Sequence, residues 1–414
     1  MAAPKLRFKE FDGDWNKSTI GNFVLNYKGG ASLTPADFVE YSDCEVIPKK
    51  AISSGGLLQL DKVVPTFCTL EFFNSNQNYI VDSEYLITTL RDLVPSGPSI
   101  GYIVKYESNK KYILAQGVYG FRIKNDLNRD FLIQFSNTSK FRLHMQSIMV
   151  GSTQVHIRNQ DYFSTELYTP SLIEQTKIAS FLSNVDEKIN QLTQKHELLS
   201  QYKQGMMQKL FSQQLRFKAD DGSEFVEWED KPLNEIASKR SGKNKDGSIS
   251  EVLTNSATQG IIKQSDYFER EIVTESNLNG YYIVNLDDFV YNPRISVHAP
   301  VGPIKRNKKC LGVMSPLYTV FTVVEGNLAY LEYFFDSNFW HDYVKGVANS
   351  GARHDRMNIT NKDFFDMPIL YPCLEEQTKI ANFLSAIDQK IEVVAQQIEQ
   401  AKLWKKGLLQ QMFV

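Results

Sequence analysis

One hexapeptide occurs twice. Glu174-Gln175-Thr176-Lys177-Ile178-Ala179 returns as Glu376-Gln377-Thr378-Lys379-Ile380-Ala381. The offset of 202 holds without a gap from Pro170 and Pro372 to Phe211 and Phe413, with roughly half of the aligned residues identical. A long-period repeat of this kind implies two equivalent structural units, so the chain is expected to perform its function twice in related geometry.

The repeated segments carry a heptad seam. In the first, Ile178, Leu182, Val185, Ile189, Leu192, His196, Leu199, Lys203, Met206 and Leu210 alternate spacings of four and three; in the second, Ile380, Leu384, Ile387, Ile391, Val394, Ile398, Ala401, Lys405, Leu408 and Met412 do so. That periodicity predicts two helices packed on each other as a coiled coil, each spanning about 60 Å at 1.5 Å per residue. His196, Lys203 and Lys405 read as polar interruptions whose stems lie along the seam while their charges reach out. Gly205 and Gly407 sit at matching positions in the last turns, where glycine costs about 1 kcal/mol relative to alanine. Their recurrence suggests the close approach of another backbone.

A looser signature precedes each unit: Leu6-Arg7-Phe8-Lys9, Asp12-Gly13 and Trp15 answer to Leu215-Arg216-Phe217-Lys218, Asp221-Gly222 and Trp228. The chain therefore divides into a lead-in segment (1–15), a variable domain (16–169), a central helix (170–213), a linker repeating the lead-in (214–228), a second variable domain (229–371) and a C-terminal helix (372–414). Residues 79–81, 85–87, 100–104 and 118–123 read as strands in the first domain, as do 281–284, 289–291 and 317–324 in the second. Aromatic helical segments follow, at 131–141 and 330–340. The fold class is mixed α/β, with constant helices and divergent inserts.

Composition excludes several classes. With 42% hydrophobic and 23% charged residues the chain is neither disordered nor fibrous. Cys44, Cys68, Cys310 and Cys373 form no CxxC pair, which argues against a zinc site or a disulfide framework. No apolar run approaches 18 residues and the first nine lack an apolar core, so a cytoplasmic protein with no membrane partner is expected. There is no P-loop, no GxGxxG opening a helix and no HExxH. Tyr291-Asn292-Pro293-Arg294 only superficially resembles the Asn-Pro-Pro-aromatic loop of adenine methyltransferases, so no catalytic or metal-ligating residue is assigned.

Binding chemistry is better supplied. Gly151 opens a segment with Gln154, His156 and Arg158, and Gly351 opens one with Arg353, His354, Arg356 and Asn358. Each is followed by Asp-aromatic-Phe. Arginine pairs bidentately with guanine, and glutamine or asparagine with adenine, so such loops suit the reading of base edges. Arg91 and Arg294 occupy comparable places, each after a strand and shortly before a glycine. Lys105, Lys110 and Lys111, then Lys239, Arg240, Lys243 and Lys245, and finally Lys305 and Arg306 are candidates for contacts to phosphates, which hold register without reading sequence.

These residues together resemble the specificity subunits of type I restriction-modification systems. The resemblance covers the whole chain, including Thr34-Pro35 after Gly29-Gly30, and the duplicated Glu-Gln-Thr-Lys-Ile-Ala helix is its specific part. It implies two target recognition domains, each reading half of a bipartite double-stranded DNA sequence, joined by two antiparallel helices that set the spacer and dock two methyltransferase subunits. Half-sites about one helical turn, roughly 34 Å, apart are then expected. By the same resemblance S-adenosylmethionine, ATP and Mg2+ belong to the methyltransferase and restriction subunits, and this chain carries no cofactor and is not an enzyme. The competing readings are a structural coiled-coil scaffold without a DNA role and a self-sufficient methyltransferase or nuclease. The absent motifs disfavour the latter.

Overall fold

The computed structural model describes residues 3–267, 275–349 and 355–414. They form two compact units, Met1–Gln194 with Val394–Val414, and Lys195–Val393. The central helix runs unbroken over Leu172–Phe211 and the C-terminal helix over Leu374–Met412, so each helix contributes one half to each unit.

In the first unit the strand Asn16–Thr19 pairs antiparallel with Glu166–Thr169, closing the start of the domain onto its end. Between them lies an antiparallel sheet in the order Val24–Lys28, Val118–Ile123, Leu86–Thr89 and Ile103–Val104. A second sheet pairs Tyr112–Leu114 with Ile80–Val81 and, in parallel, with Val46–Ile47. The second unit repeats this topology: Glu229–Pro232 pairs with Pro368–Tyr371, and Ala237–Lys239, Thr319–Val323, Phe289–Tyr291 and Ile304–Arg306 form the main sheet. The two variable sequences thus share a fold as well as an outline. Each expected aromatic helix is two helices. Arg129–Ser136 and Ser139–Ile148 break where Thr138 caps the second by accepting from the Phe141 N–H, and Leu328–Asp336 is followed by His341–Val347.

The helices pack antiparallel within each unit. In the first unit Ile178, Leu182 and Val185 share a core with Leu408, Leu409 and Met412. In the second, Met207, Leu210 and Phe211 share one with Ile380, Leu384 and Ile387. The helix ends also enter the recognition domains: Phe413 lies against Trp15, Phe131 and Phe135, and Phe211 against Tyr330, Phe334 and Phe339. Those domain contacts pull the seam off a strict heptad. Met207 rather than Met206 is buried, and Leu199 is only half-buried, as a straight 3.6-residue helix drifting from a seven-residue repeat requires.

The seam lysines do not reach into solvent as expected. Lys405 Nζ donates to Asp186 at 2.5 Å and Lys203 pairs with Asp388 at 2.6 Å. Each aspartate also accepts a bond from its recognition domain, from Gln134 Nε2 at 2.8 Å and from Tyr333 Oη at 2.7 Å. The glycine expectation fails too, since a Cβ at Gly205 or Gly407 would meet nothing within 4 Å.

The repeated hexapeptide is a latch. Glu174 accepts Nε and Nη2 of Arg7 at 2.7 Å each. Glu376, fully buried, accepts Arg216 at 3.2 and 3.0 Å and Trp228 Nε1 at 2.9 Å. Gln175 and Gln377 then accept the backbone N–H of Asn128 and Asn327, at 2.8 and 2.9 Å, which are the N-caps of Arg129–Ser136 and Leu328–Asp336. Thr176 and Thr378 take the same asparagine side chains. Lys177 pairs with Glu10, and Lys379 with Asp220. One tetrapeptide therefore ties lead-in, helix and domain together.

Two outcomes follow. Glu376→Ala leaves Arg216 without its carboxylate and is expected to cost about 3 kcal/mol, the lower part of the range for breaking a buried pair; a fall of less than 1 kcal/mol in urea unfolding would make the latch peripheral. Gly205→Ala, in an open helical site, is expected to raise stability by up to about 1 kcal/mol, and a lower melting temperature would contradict the space assigned to it.

Candidate nucleic-acid interface

Arg91 begins the strand Arg91–Asp92, which pairs antiparallel with Val155–His156 so that Arg91 faces His156 across the ladder. His156 also exchanges both main-chain bonds with Val150, at 2.9 and 3.0 Å, closing a tight loop. Gly151 makes this loop possible. Its φ is +116°, and a Cβ there would stand 2.1 Å from the Gln154 carbonyl oxygen. Val155 and Ile157 point into the core, so by the two-residue alternation of extended chain Gln154, His156 and Arg158 lie on the outer face. None of these three side chains, nor that of Arg91, has a hydrogen-bond or ion-pair partner among the described residues.

The second unit builds the same arrangement. Arg294 bridges Arg356 antiparallel, with Met357 N–H donating to the Pro293 carbonyl at 2.8 Å and Ile295 N–H to that of Asp355 at 3.1 Å. Asn358 is exposed beside them. Arg356 reaches Asp355 at only 3.5 Å, and its buried Nε has no partner. Arg353 and His354 lie outside the described residues. Asn292, from the tetrapeptide that resembles a methyltransferase loop, is a structural anchor: its Oδ1 accepts the Arg294 N–H at 3.1 Å and its Nδ2 donates to Asn255 at 3.0 Å. Arg91 with His156 and Arg294 with Arg356 are thus equivalent pairs, joined from segments about 60 residues apart. Sequence periodicity carries no signal for such a pairing.

The basic clusters fare differently. Lys105 is paired with Asp130 at 2.8 Å, Lys110 with Glu45 at 2.8 Å, Lys305 with Asp336 at 2.5 Å, and Arg306 with Asp287 at 2.6 Å. Arg240 reaches buried Asp288 at 3.2 Å, and Lys239 donates to Asn361 at 2.9 Å. Most of these candidate phosphate contacts are thus already engaged by tertiary neighbours. Lys111, Lys243 and Lys245 are exposed and unpaired among the described residues.

The family model of the type I restriction modification DNA specificity domain matches the chain over residues 12–200 and again over 226–403. The chain belongs to that family. Two such domains in one polypeptide make it a type I specificity subunit. It is similar to the type I restriction enzyme MjaVIII specificity subunit of Methanocaldococcus jannaschii, 24% identical over 97% of this chain and 94% of the relative. In fold it resembles the type I restriction-modification S subunit of M. genitalium, with a TM-score of 0.56 and 15% identity across 100% of this chain and 99% of that one. A chain from a structure of type I complex assembly and conformational transition gives a TM-score of 0.53 at 14% identity, covering 97% of each. Among the described residues no helix is long and apolar enough to cross a membrane.

The hairpin offers a direct check. Gly151→Ala is expected to open the loop while leaving the core intact, so trypsin should cut after Arg158 faster with little change in melting temperature. Unchanged cleavage would mean that the positive φ is not required.

Proposed function

We propose that each unit of this specificity subunit reads one half-site of a bipartite DNA target with its paired-strand face, Arg91, Gln154, His156 and Arg158 in the first unit and Arg294, Arg356 and Asn358 in the second. The observation that carries this reading is the equivalence of the two cross-strand pairs, each built around an arginine with no carboxylate engaged closer than 3.5 Å. A structural coiled-coil scaffold has no use for two such faces. Lys111, Lys243 and Lys245 add phosphate contacts, while the ion-paired clusters contribute little to the salt-dependent term.

The chain holds DNA and partner subunits carry out the chemistry. Methylation with S-adenosylmethionine belongs to two methyltransferase subunits, and ATP- and Mg2+-dependent cleavage to restriction subunits, in a cytoplasmic complex. For docking, the repeated helices present equivalent aromatic residues: Trp404 is 55% and Tyr202 51% exposed at positions related by the repeat offset. Large exposed aromatics are the side chains on which protein interfaces concentrate their binding energy.

Arg294→Ala and Arg356→Ala are each expected to cost about 1–3 kcal/mol and to relax one position of one half-site. Sequencing of N6-methyladenine in DNA from cells carrying the chain and its methyltransferase reads both half-sites at once; equal loss on all DNA with an unchanged motif would remove the base-reading role. Trp404→Ala is expected to lower the number of methyltransferase subunits retained per chain in native mass spectrometry, and full occupancy would exclude that anchor.

A further inference from the structure

We infer that each recognition domain also reads a thymine through its C5-methyl group, using an aliphatic side chain held beside the free arginine: Leu93 in the first unit and Val297 in the second. The inference rests on the DNA-reading role proposed above and adds a specificity determinant to it.

Leu93 follows Arg91 by two residues and Val297 follows Arg294 by three; the first is 63% and the second 96% exposed. A single exposed aliphatic residue is ordinary. Its recurrence within three residues of the equivalent arginine in two domains of different sequence is not. Both loops are rigid. Asp92 accepts the N–H groups of Val94 and Ser99 at 3.1 and 3.2 Å, which engages the one carboxylate of that loop, and Gly97 N–H closes onto Val94 at 2.9 Å. In the second unit Ser296 and Ala299 exchange both main-chain bonds at 3.0 and 3.1 Å, leaving Val297 and His298 as a two-residue turn. Turn chemistry favours Gly, Asn, Asp or Ser at such a tip, so valine contributes nothing to forming it, and at that exposure it contributes nothing to the core. It is an apolar group held in water in advance of binding. On the major-groove edges of the bases the apolar group available is the thymine methyl. Two or three residues span at most about 7–10 Å even when fully extended, so the thymine lies within about three base pairs of the base that the arginine reads.

The test uses the chain in complex with its methyltransferase and duplexes of the methylated motif in which each thymine is replaced singly by uracil, which removes only the methyl group. One replacement in each half-site is expected to weaken binding about fourfold, the worth of one buried methyl. Val297→Ala should abolish that sensitivity in its own half-site and Leu93→Ala in the other, without further weakening binding to the uracil duplex. Equal binding of all uracil duplexes, or sensitivity that survives in both variants, overturns the inference. Arg294→Ala separates the levels: a relaxed half-site with no uracil effect sinks only the thymine contact, whereas an unchanged motif in Arg294→Ala sinks the reading on which it rests.

Discussion

A buried carboxylate at the first turn of a long helix constrains most of this structure. Glu376 is fully excluded from solvent, and an ionised side chain in that position is tolerable only with charged or strongly polar partners. Arg216 and Trp228 are those partners, and they come from a segment about 150 residues earlier. Glu174 makes the same demand on Arg7. The helix N-terminus, which favours negative charge, adds to the stability of each pair. Once the carboxylate has drawn the lead-in onto the helix, the strand after it must meet the strand before the helix, and the recognition domain becomes a loop whose two ends are fixed.

That closure separates what must stay constant from what is free to vary. The polar residues that hold the domain to the scaffold are few: the glutamine and threonine that hold Asn128 or Asn327, and the aspartate shared between a seam lysine and the domain helix; Phe413 and Phe211 add an aromatic anchor in each domain core. Much of what lies between can change sequence provided it still presents an N-capping asparagine, the aromatic residues that receive Phe413 or Phe211, and a sheet of the same order. The two units do so, and each places an arginine across from a different partner, His156 in one and Arg356 in the other. Different faces on one topology are what two different half-sites require.

Local periodicity made the helices readable because burial on one face repeats every three or four residues. The seam was readable through Leu210 in the first helix and Met412 in the second except at Leu199 and Met206, where Met207 rather than Met206 turns into the core it shares with Phe211. The role of Glu-Gln-Thr-Lys was hidden for the opposite reason: each of its partners is remote in sequence. The same holds for the ladder that joins Arg91 to His156. The ion pairing of the cation clusters was hidden in the same way: a run such as Lys305-Arg306 shows its charge in sequence, while Asp336 and Asp287, which pair with it, are brought in only by folding. The glycines divide by backbone geometry rather than by recurrence: Gly151 is required by its φ and by the Gln154 carbonyl, whereas the repeated Gly205 and Gly407 touch nothing.

The pairing of cations also explains how a DNA-reading chain carries a net charge of −2. Each unpaired lysine or arginine that meets a phosphate releases counterions and strengthens binding at low salt, but one already held by a carboxylate must first give up that partner. With most of these clusters so engaged, the hairpin cations Arg91, Arg158 and Arg294 are among those that no carboxylate holds. If the hairpins read bases as proposed, a weak general attraction leaves the difference between the right and the wrong base as the larger share of what those charges contribute.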